Sequence, residues 1–151
     1  MPKQNPALSY PATQYTPPAL PDLSRDDERR RLSPAALKAF FSIMDHWRIR
    51  DEDARQLLGG ISNGAYYELK QQRRGQSKPL DQDRLVRISY FIGIFKSLNI
   101  LYSQRLADEW IQLANSNPLF GGRAPLQYIL QGGTPAMEIV RRLLDARRGG
   151  R

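Results

Sequence analysis

Residues 84–102 are apolar on nearly every side when they are placed on a helix. One stripe recurs at three- and four-residue steps, and it comprises Leu85, Ile88, Ile92, Phe95, Leu98 and Tyr102. The side chains that flank this stripe are Val86, Tyr90, Phe91 and Ile94. At about 1.5 Å per residue, such a helix is roughly 28 Å long. Because a helix of this kind has to be buried, we expect it either to form the core of the fold or to lie between two subunits.

The segments before and after this helix repeat the same helical spacing, with glycine pairs between them. Ser33 as N-cap and Pro34 in the first turn predict the start of a first helix. Its inner face is then Leu37, Phe40, Phe41, Met44 and Trp47. Asp81 is predicted to cap the long apolar helix, and shorter helices are predicted near residues 51–58, 63–74, 106–114, 125–130 and 134–144. Since no stretch alternates with period two for long enough to form a strand, the sequence predicts an all-α fold.

The N-terminal part of the chain has a different composition. Six of the eleven prolines lie within the first 21 residues, so this stretch can neither propagate a helix nor bury much apolar area. We expect residues 1–31 to be a disordered, proline-rich arm. The arm lacks the apolar region of a signal peptide, and no apolar run approaches the roughly 20 residues of a membrane helix. A cytoplasmic protein that does not enter the membrane is expected.

Composition and motifs together limit the classes of activity. The sequence has 18 arginines and 5 lysines, and its net charge is +8, which favours a polyanionic partner, an acidic protein surface or simply a solvated face. It has no cysteine and one histidine, which excludes disulfides, cysteine nucleophiles and sites with several histidine ligands. No phosphate-binding loop, dinucleotide-binding glycine motif, nucleophile elbow or zinc-protease motif is present.

The remaining candidates for chemistry have simpler interpretations. His46 lies beside Trp47 with no second histidine to work with, so we interpret it as a packed or surface histidine. The carboxylates at residues 51–53 and 108–109 suit helix starts and polar faces better than a metal site. We therefore expect no catalytic residue, no metal, no cofactor and no enzymatic activity.

Residues 51–74 have the pattern of a helix-turn-helix. This motif needs a small inward residue on its first helix, a glycine-bearing turn, an apolar residue after the turn and two buried positions on its second helix. The sequence supplies them in order as Ala54, Gly59-Gly60, Ile61, Tyr66 and Leu69. The pattern predicts binding to DNA.

The exposed side of the second helix then carries the candidate DNA contacts, with Ser62 as its N-cap. Asn and Gln side chains can read adenine, whereas Lys and Arg suit phosphates. The candidate DNA-binding residues are Ser62, Asn63, Tyr67, Lys70, Gln71, Arg73, Arg74 and Lys78.

Four segments in order resemble the Xre/MbcA/ParS antitoxins. They are WRIRDEDARQLLGGISNGAYYELK (47–70), DRLVRISYFIGIFKSL (83–98), EWIQLANSNPLFGGRAPL (109–126) and VRRLLDARRGG (140–150). The resemblance implies an Xre-like helix-turn-helix domain at residues 32–80, a linking or core helix at 81–102 and a small helical toxin-binding domain at 103–151. It also implies a cognate partner, a RES-domain toxin that consumes NAD or transfers ADP-ribose.

The resemblance places the toxin contacts in the C-terminal block. The candidate toxin-binding residues are Phe120, Arg123, Arg141, Leu144, Arg147, Arg148 and Arg151. The arginines of the last eleven residues permit two interpretations. They complement the dipole at a helix end, or they form a flexible arm that enters a pocket of the partner, where guanidinium groups hold carboxylates. The resemblance favours insertion.

Two functions from different classes remain open on the sequence. The first is an antitoxin that neutralises its toxin and represses its own promoter by binding operator DNA. The second is a stand-alone helix-turn-helix transcription regulator whose C-terminal helices bind an effector or only dimerise. In both cases we expect a homodimer, because paired helix-turn-helix units that read half-sites one helical turn apart need a two-fold axis.

Overall fold

The computed structural model describes residues 20–72 and 78–149 of the chain. In this part of the chain there are six α-helices, two short 3-10 turns and no strand, which confirms the all-α prediction. The α-helices are α1 (Asp26–His46), α2 (Asp51–Leu57), α3 (Asn63–Gln72), α4 (Gln82–Leu101), α5 (Gln104–Glu109) and α6 (Pro125–Arg148). The 3-10 turns are Trp110–Gln112 and Pro118–Phe120. No helix among these residues is long and apolar enough to cross a membrane.

Helix α1 begins earlier than the sequence predicted. It starts at Asp26 with acidic residues in its first turn, where the helix dipole favours them. The prediction of an arm as far as residue 31 is therefore wrong for residues 26–31, and residues 1–19 lie outside the described part. Ser33 is not an N-cap, because it lies inside α1 and is buried. Its Oγ donates to the Arg29 carbonyl oxygen at 2.6 Å and accepts from the Leu80 N–H at 2.7 Å.

Helix α4 occupies the centre of the fold. Asp81 caps it as predicted, accepting a hydrogen bond from the Arg84 N–H at 2.9 Å. Its buried side chains are Leu85, Ile88, Phe91, Ile94, Ser97 and Leu98. Phe91 packs edge-on against Trp47, the residue that directly follows α1, with the ring centroids 6.3 Å apart. Of the two expectations for this helix, the structure supports the core, because α1, α5 and α6 all pack on it.

The second half of α6 runs parallel to α4. Ser97 Oγ donates to Asp145 Oδ1 at 3.1 Å, and four residues earlier on both helices the Arg141 guanidinium covers Gly93. A Cβ at position 93 would lie 2.6 Å from Arg141 Cζ, which is closer than real Cβ contacts. Glycine at this position therefore lets an arginine side chain lie flat between the two helices.

The predicted break between two C-terminal helices is present as a kink inside α6. Gly133 there has φ 67° and ψ −148°, a conformation that is essentially restricted to glycine. At Gly132, a Cβ would lie 2.6 Å from the Cβ of Ala136. Both glycines are thus needed for the chain to turn from the first half of α6 to the half that packs on α4.

The Ser33 hydroxyl gives a test of how α1 holds the start of α4. Ser33→Ala removes the acceptor of the buried Leu80 N–H, and we expect the free energy of unfolding to fall by about 1–3 kcal/mol. Denaturant titration measures this loss. The control is Ser42→Ala, at an exposed position of the same helix, and an equal effect of the two substitutions would contradict the assigned role of Ser33.

Candidate nucleic-acid interface and partner-binding surface

The turn between α2 and α3 requires its two glycines. Gly59 and Gly60 have φ values of +103° and +81°, which side chains with a Cβ rarely adopt. The Arg55 Nε–H donates to the Ile61 carbonyl oxygen at 3.1 Å across this turn. Behind it, Arg87 of α4 lies against the Leu57 carbonyl oxygen at 3.5 Å. The angle between α2 and α3 is therefore fixed by backbone conformation and by two arginines.

The buried positions of the helix-turn-helix agree with the sequence prediction. Ala54, Ile61 and Tyr66 are all buried in the common core. Leu69 is partly buried and packs against the same core. Because these side chains fix which side of α3 faces inward, the opposite side is available to a partner.

Four of the eight predicted DNA contacts lie on the exposed side of α3 or at its N-cap. Ser62 caps the helix as predicted, since its Oγ accepts from the Ala65 N–H at 3.1 Å. Asn63 and Gln71 are exposed, and Tyr67 is 53% exposed despite its aromatic ring. Amide and hydroxyl groups at these positions are free to donate to and accept from the edges of bases.

Lys70 differs from this group, because it is only partly exposed and is already paired. Its Nζ lies 3.0 Å from Asp51 Oδ1 at the start of α2. The same Nζ lies 5.0 Å from the ring centre of Tyr66 and 5.9 Å from that of Phe41. The predicted phosphate contact thus lies in an intramolecular ion pair that rests on two aromatic rings.

The Tyr66 hydroxyl completes this cluster. It donates to Asp51 Oδ1 at 3.0 Å, so one carboxylate oxygen accepts from both Lys70 and Tyr66. The hydrogen bond from Lys70 is the main cause that lowers the pKa of Asp51 below its usual 3.8. Burial, followed by the bond to Asp51, raises the pKa of Tyr66. Asp51 is consequently ionised, and the Tyr66 hydroxyl keeps its proton, across the physiological pH range.

The other predicted phosphate contacts lie at the exit of α3. Lys78 is exposed. Arg73 and Arg74 lie outside the described residues, and the prediction for them stays a prediction. Lys78 lines a shallow pocket together with Ala65, Glu68 and Leu69 of α3.

Two predicted toxin contacts lie in the core of the fold. Phe120 and Leu144 are both 0% exposed and belong to the core. The Phe120 ring packs edge-on against Trp110 and Tyr128, with ring centroids 6.0 Å and 5.5 Å away. Leu144 lies on the side of α6 that is buried with Met137 and Val140. Both side chains are therefore used in intramolecular packing.

Two predicted arginine contacts are engaged within the domain. Arg123 donates to the Phe120 carbonyl oxygen at 3.2 Å and also bonds Gln131. Arg141 lies over Gly93, 3.5 Å from the Ser89 carbonyl oxygen and 3.7 Å from Asp145. Arg123 and Arg141 are both partly exposed. Their first role is to hold the C-terminal helices together.

The predicted flexible arm is helical as far as Arg148. Arg147 donates to the Tyr102 hydroxyl at 3.0 Å, and Arg148 lies 3.4 Å from Ser97 Oγ and 3.9 Å from Asp145. The prediction of mobility is therefore wrong for Arg147 and Arg148, although both remain at the surface. Arg151 lies outside the described residues.

The structure adds an apolar surface that the sequence prediction missed. Ile139 is 43% exposed and Leu143, one turn later, is partly exposed. Arg142 lies between them and bonds Glu138 at 2.8 Å while staying 78% exposed. We call Ile139, Arg142 and Leu143 the outer face of α6. The sequence shows the same four-residue spacing for this pair and for the buried Val140 and Leu144, so spacing alone could not decide which pair faces outward.

A cleft lies between the end of α1 and α5. Its volume is about 430 Å³, and His46, Arg48, Arg105 and Asp108 are among the residues that line it. His46 is exposed, lies 3.5 Å from Asp108 Oδ2 and packs on the ring of Phe95. Within residues 20–72 and 78–149, no three histidine or carboxylate side chains are grouped closely enough to hold a metal ion.

Comparison with known proteins covers both parts of this arrangement. Residues 26–93 match the antitoxin Xre-like helix-turn-helix domain, and residues 97–150 match the antitoxin Xre/MbcA/ParS C-terminal toxin-binding domain. The chain is also 37% identical over 118 residues to the uncharacterized protein y4oB of Sinorhizobium fredii (strain NBRC 101917 / NGR234), which covers 78% of this chain and 87% of that protein. No solved structure matches the chain. The division between the two matched domains falls inside α4.

Proposed function

Because the chain belongs to the Xre/MbcA/ParS antitoxin family, we propose that it neutralises a cognate RES-domain toxin and represses its own promoter. The toxin partner is an enzyme that consumes NAD or transfers ADP-ribose, and the operator is the DNA before the antitoxin's own gene. The observation that carries the proposal is that one core supports both the exposed side of α3 and the outer face of α6. The chain is thus a binding protein with two separate contact surfaces.

The exposed side of α3 suits the major groove. An α-helix fits this groove, and amide side chains such as those of Asn63 and Gln71 can read adenine there. Lys78 lies beyond α3, and a lysine in this position contacts the backbone without reading sequence. We propose that two chains bind together as a homodimer on half-sites one helical turn apart.

Alanine substitutions should separate base contacts from phosphate contacts. Gln71→Ala and Asn63→Ala should each cost about 1–3 kcal/mol of binding and relax preference at one base position. Lys78→Ala should weaken binding to all sequences alike. It should also lower by about one the salt slope, which is the steepness with which the logarithm of the binding constant falls with the logarithm of the salt concentration. Binding to the promoter fragment at several salt concentrations measures the loss of binding free energy and the salt slope. In the same titration we expect a stoichiometry of two chains per operator.

The control for this experiment is Lys96→Ala. Lys96 is exposed on α4 beside Ser97, which bonds α6, so its loss removes the same charge away from α3. The assignment is contradicted if Gln71→Ala and Lys78→Ala behave alike, or if Lys96→Ala lowers the salt slope as much as Lys78→Ala. One chain per operator would contradict the homodimer.

The outer face of α6 is the part of the C-terminal domain that suits a protein partner. It combines exposed apolar side chains with an arginine, and a few buried anchors of these kinds carry most of the energy in many interfaces. Arg147 and Arg148 follow on the last turn of the same helix. We propose that the outer face captures the toxin and that the terminal arginines block its active site through bonds to carboxylates.

Capture and inhibition should therefore be separable. Ile139→Asp places a charge within the proposed contact, and we expect toxin binding to weaken by at least tenfold, which corresponds to about 1.4 kcal/mol. Deletion of residues 147–151 removes the bonds of Arg147 and Arg148 to Tyr102, Ser97 and Asp145. Since residues 147–149 are all exposed, this variant should stay folded and still bind the toxin while protecting cells poorly. Pull-down of co-expressed toxin and growth of toxin-expressing cells are the two measurements.

The matched control is Ile100→Asp. Ile100 is 62% exposed, more than Ile139, but it lies on α4. Equal loss of binding in the two aspartate variants would show that the outer face is not the contact. Full protection by the truncated chain would show that the terminal arginines are not the blocking group.

A further inference from the structure

We propose that Asp51 determines DNA affinity by withholding Lys70 from the phosphate backbone. The inference rests on the proposed binding of α3 to DNA. It starts from the carboxylate oxygen that lies 3.0 Å from Lys70 Nζ and 3.0 Å from the Tyr66 hydroxyl. We call Asp51, Lys70 and Tyr66 the latch.

The latch is built on a fixed base. Tyr66 is 1% exposed, and its ring packs edge-on against Phe41 with centroids 5.5 Å apart. Its hydroxyl therefore holds the Asp51 carboxylate from the buried side. The Lys70 ammonium lies between this carboxylate and the faces of both rings. A long, flexible side chain is thus kept close to the helix instead of extending from it.

The charges of the latch cancel where DNA would approach. Binding is strengthened by each cation that replaces a condensed counterion at a phosphate. If Lys70 turned to a phosphate, it would leave the ionised Asp51 carboxylate unpaired next to a polyanion. The pair therefore adds almost nothing to phosphate neutralisation, although Lys70 has the sequence position of a phosphate contact.

The latch is distinguished from the general effect of acidic residues at the start of α2. Carboxylates in the first turn of a helix are favoured by its dipole, and Glu52 is a neighbour of this kind. Glu52 is exposed and is not the carboxylate that bonds Lys70. Removing either negative charge should strengthen binding to DNA somewhat, but only removal of the Asp51 charge should release Lys70.

The experiment is a double-mutant cycle read by salt-titrated binding to the promoter fragment. Lys70→Met in the wild-type chain should leave the salt slope unchanged. Asp51→Asn, which keeps the shape of the side chain, should raise affinity severalfold and increase the slope by about one. Lys70→Met added to Asp51→Asn should then remove that increase. In the control cycle, Lys70→Met added to Glu52→Gln should have no effect on the slope.

Several results would overturn the inference. If Lys70→Met in the wild-type chain lowers the salt slope by about one, Lys70 already contacts a phosphate. Unchanged or weaker binding by Asp51→Asn, with an unchanged thermal unfolding midpoint, would show that Asp51 withholds nothing. If Asp51→Asn lowers that midpoint, Asp51→Ser replaces it in the same cycle with the same expected slopes. Failure of every variant and of the wild type to bind the fragment would reject the inference together with the proposed DNA function, whereas binding without the expected coupling would reject the inference alone.

Discussion

The burial of α4 is the constraint on which the rest of the structure depends. Its apolar sides are covered by α1, α5 and α6 together, so that neither the helix-turn-helix nor the C-terminal helices have a complete core without it. The two family domains meet within this helix, between residues 93 and 97. A direct contact also joins them, since the Gln56 amide of α2 donates to the Leu130 carbonyl oxygen of α6 at 3.1 Å. The two surfaces proposed to bind partners therefore lie on one body.

Small residues on α4 set the position of the C-terminal helix. Gly93 leaves room for the Arg141 side chain, and the buried Ser97 bonds Asp145 one turn further on. A side chain at position 93 would displace the Arg141 guanidinium. The kink at Gly133 gives the chain the direction from which the second half of α6 can pack in parallel. The outer face of α6 is exposed because the opposite face is fixed by these contacts. The surface proposed for the toxin thus follows from packing on α4.

The sequence predicted those features that depend on local chemistry. Caps at Ser62 and Asp81, the turn at Gly59-Gly60 and the buried positions of α2 and α3 were all identified, because each is determined by residues close in the chain. The start of α1 was not predicted correctly, because Ser33 has the sequence pattern of an N-cap. Its hydroxyl instead bonds the N–H of Leu80, which is 47 residues away in the chain. Phe120 and Leu144 were assigned to a partner because an apolar residue has the same pattern in a core and in an interface. Lys70 was assigned to DNA from its position on α3. The sequence did not reveal its ion pair with Asp51, because that pair joins two helices across a turn.

We infer that the two proposed binding surfaces belong to one cooperative unit built around α4, and native-state hydrogen exchange in increasing denaturant can measure whether they open together. Amides that open only with the whole protein converge on one free energy of opening, whereas separate units give separate values. The amides to follow are those of Leu58 at the end of α2, Ile94 in α4 and Val140 in α6, and all three residues are buried. We expect the three amides to converge on the same free energy of opening. A lower free energy of opening for the Leu58 amide than for the Val140 amide, with the Ile94 amide matching only one of the two, would show that the two halves open as separate units.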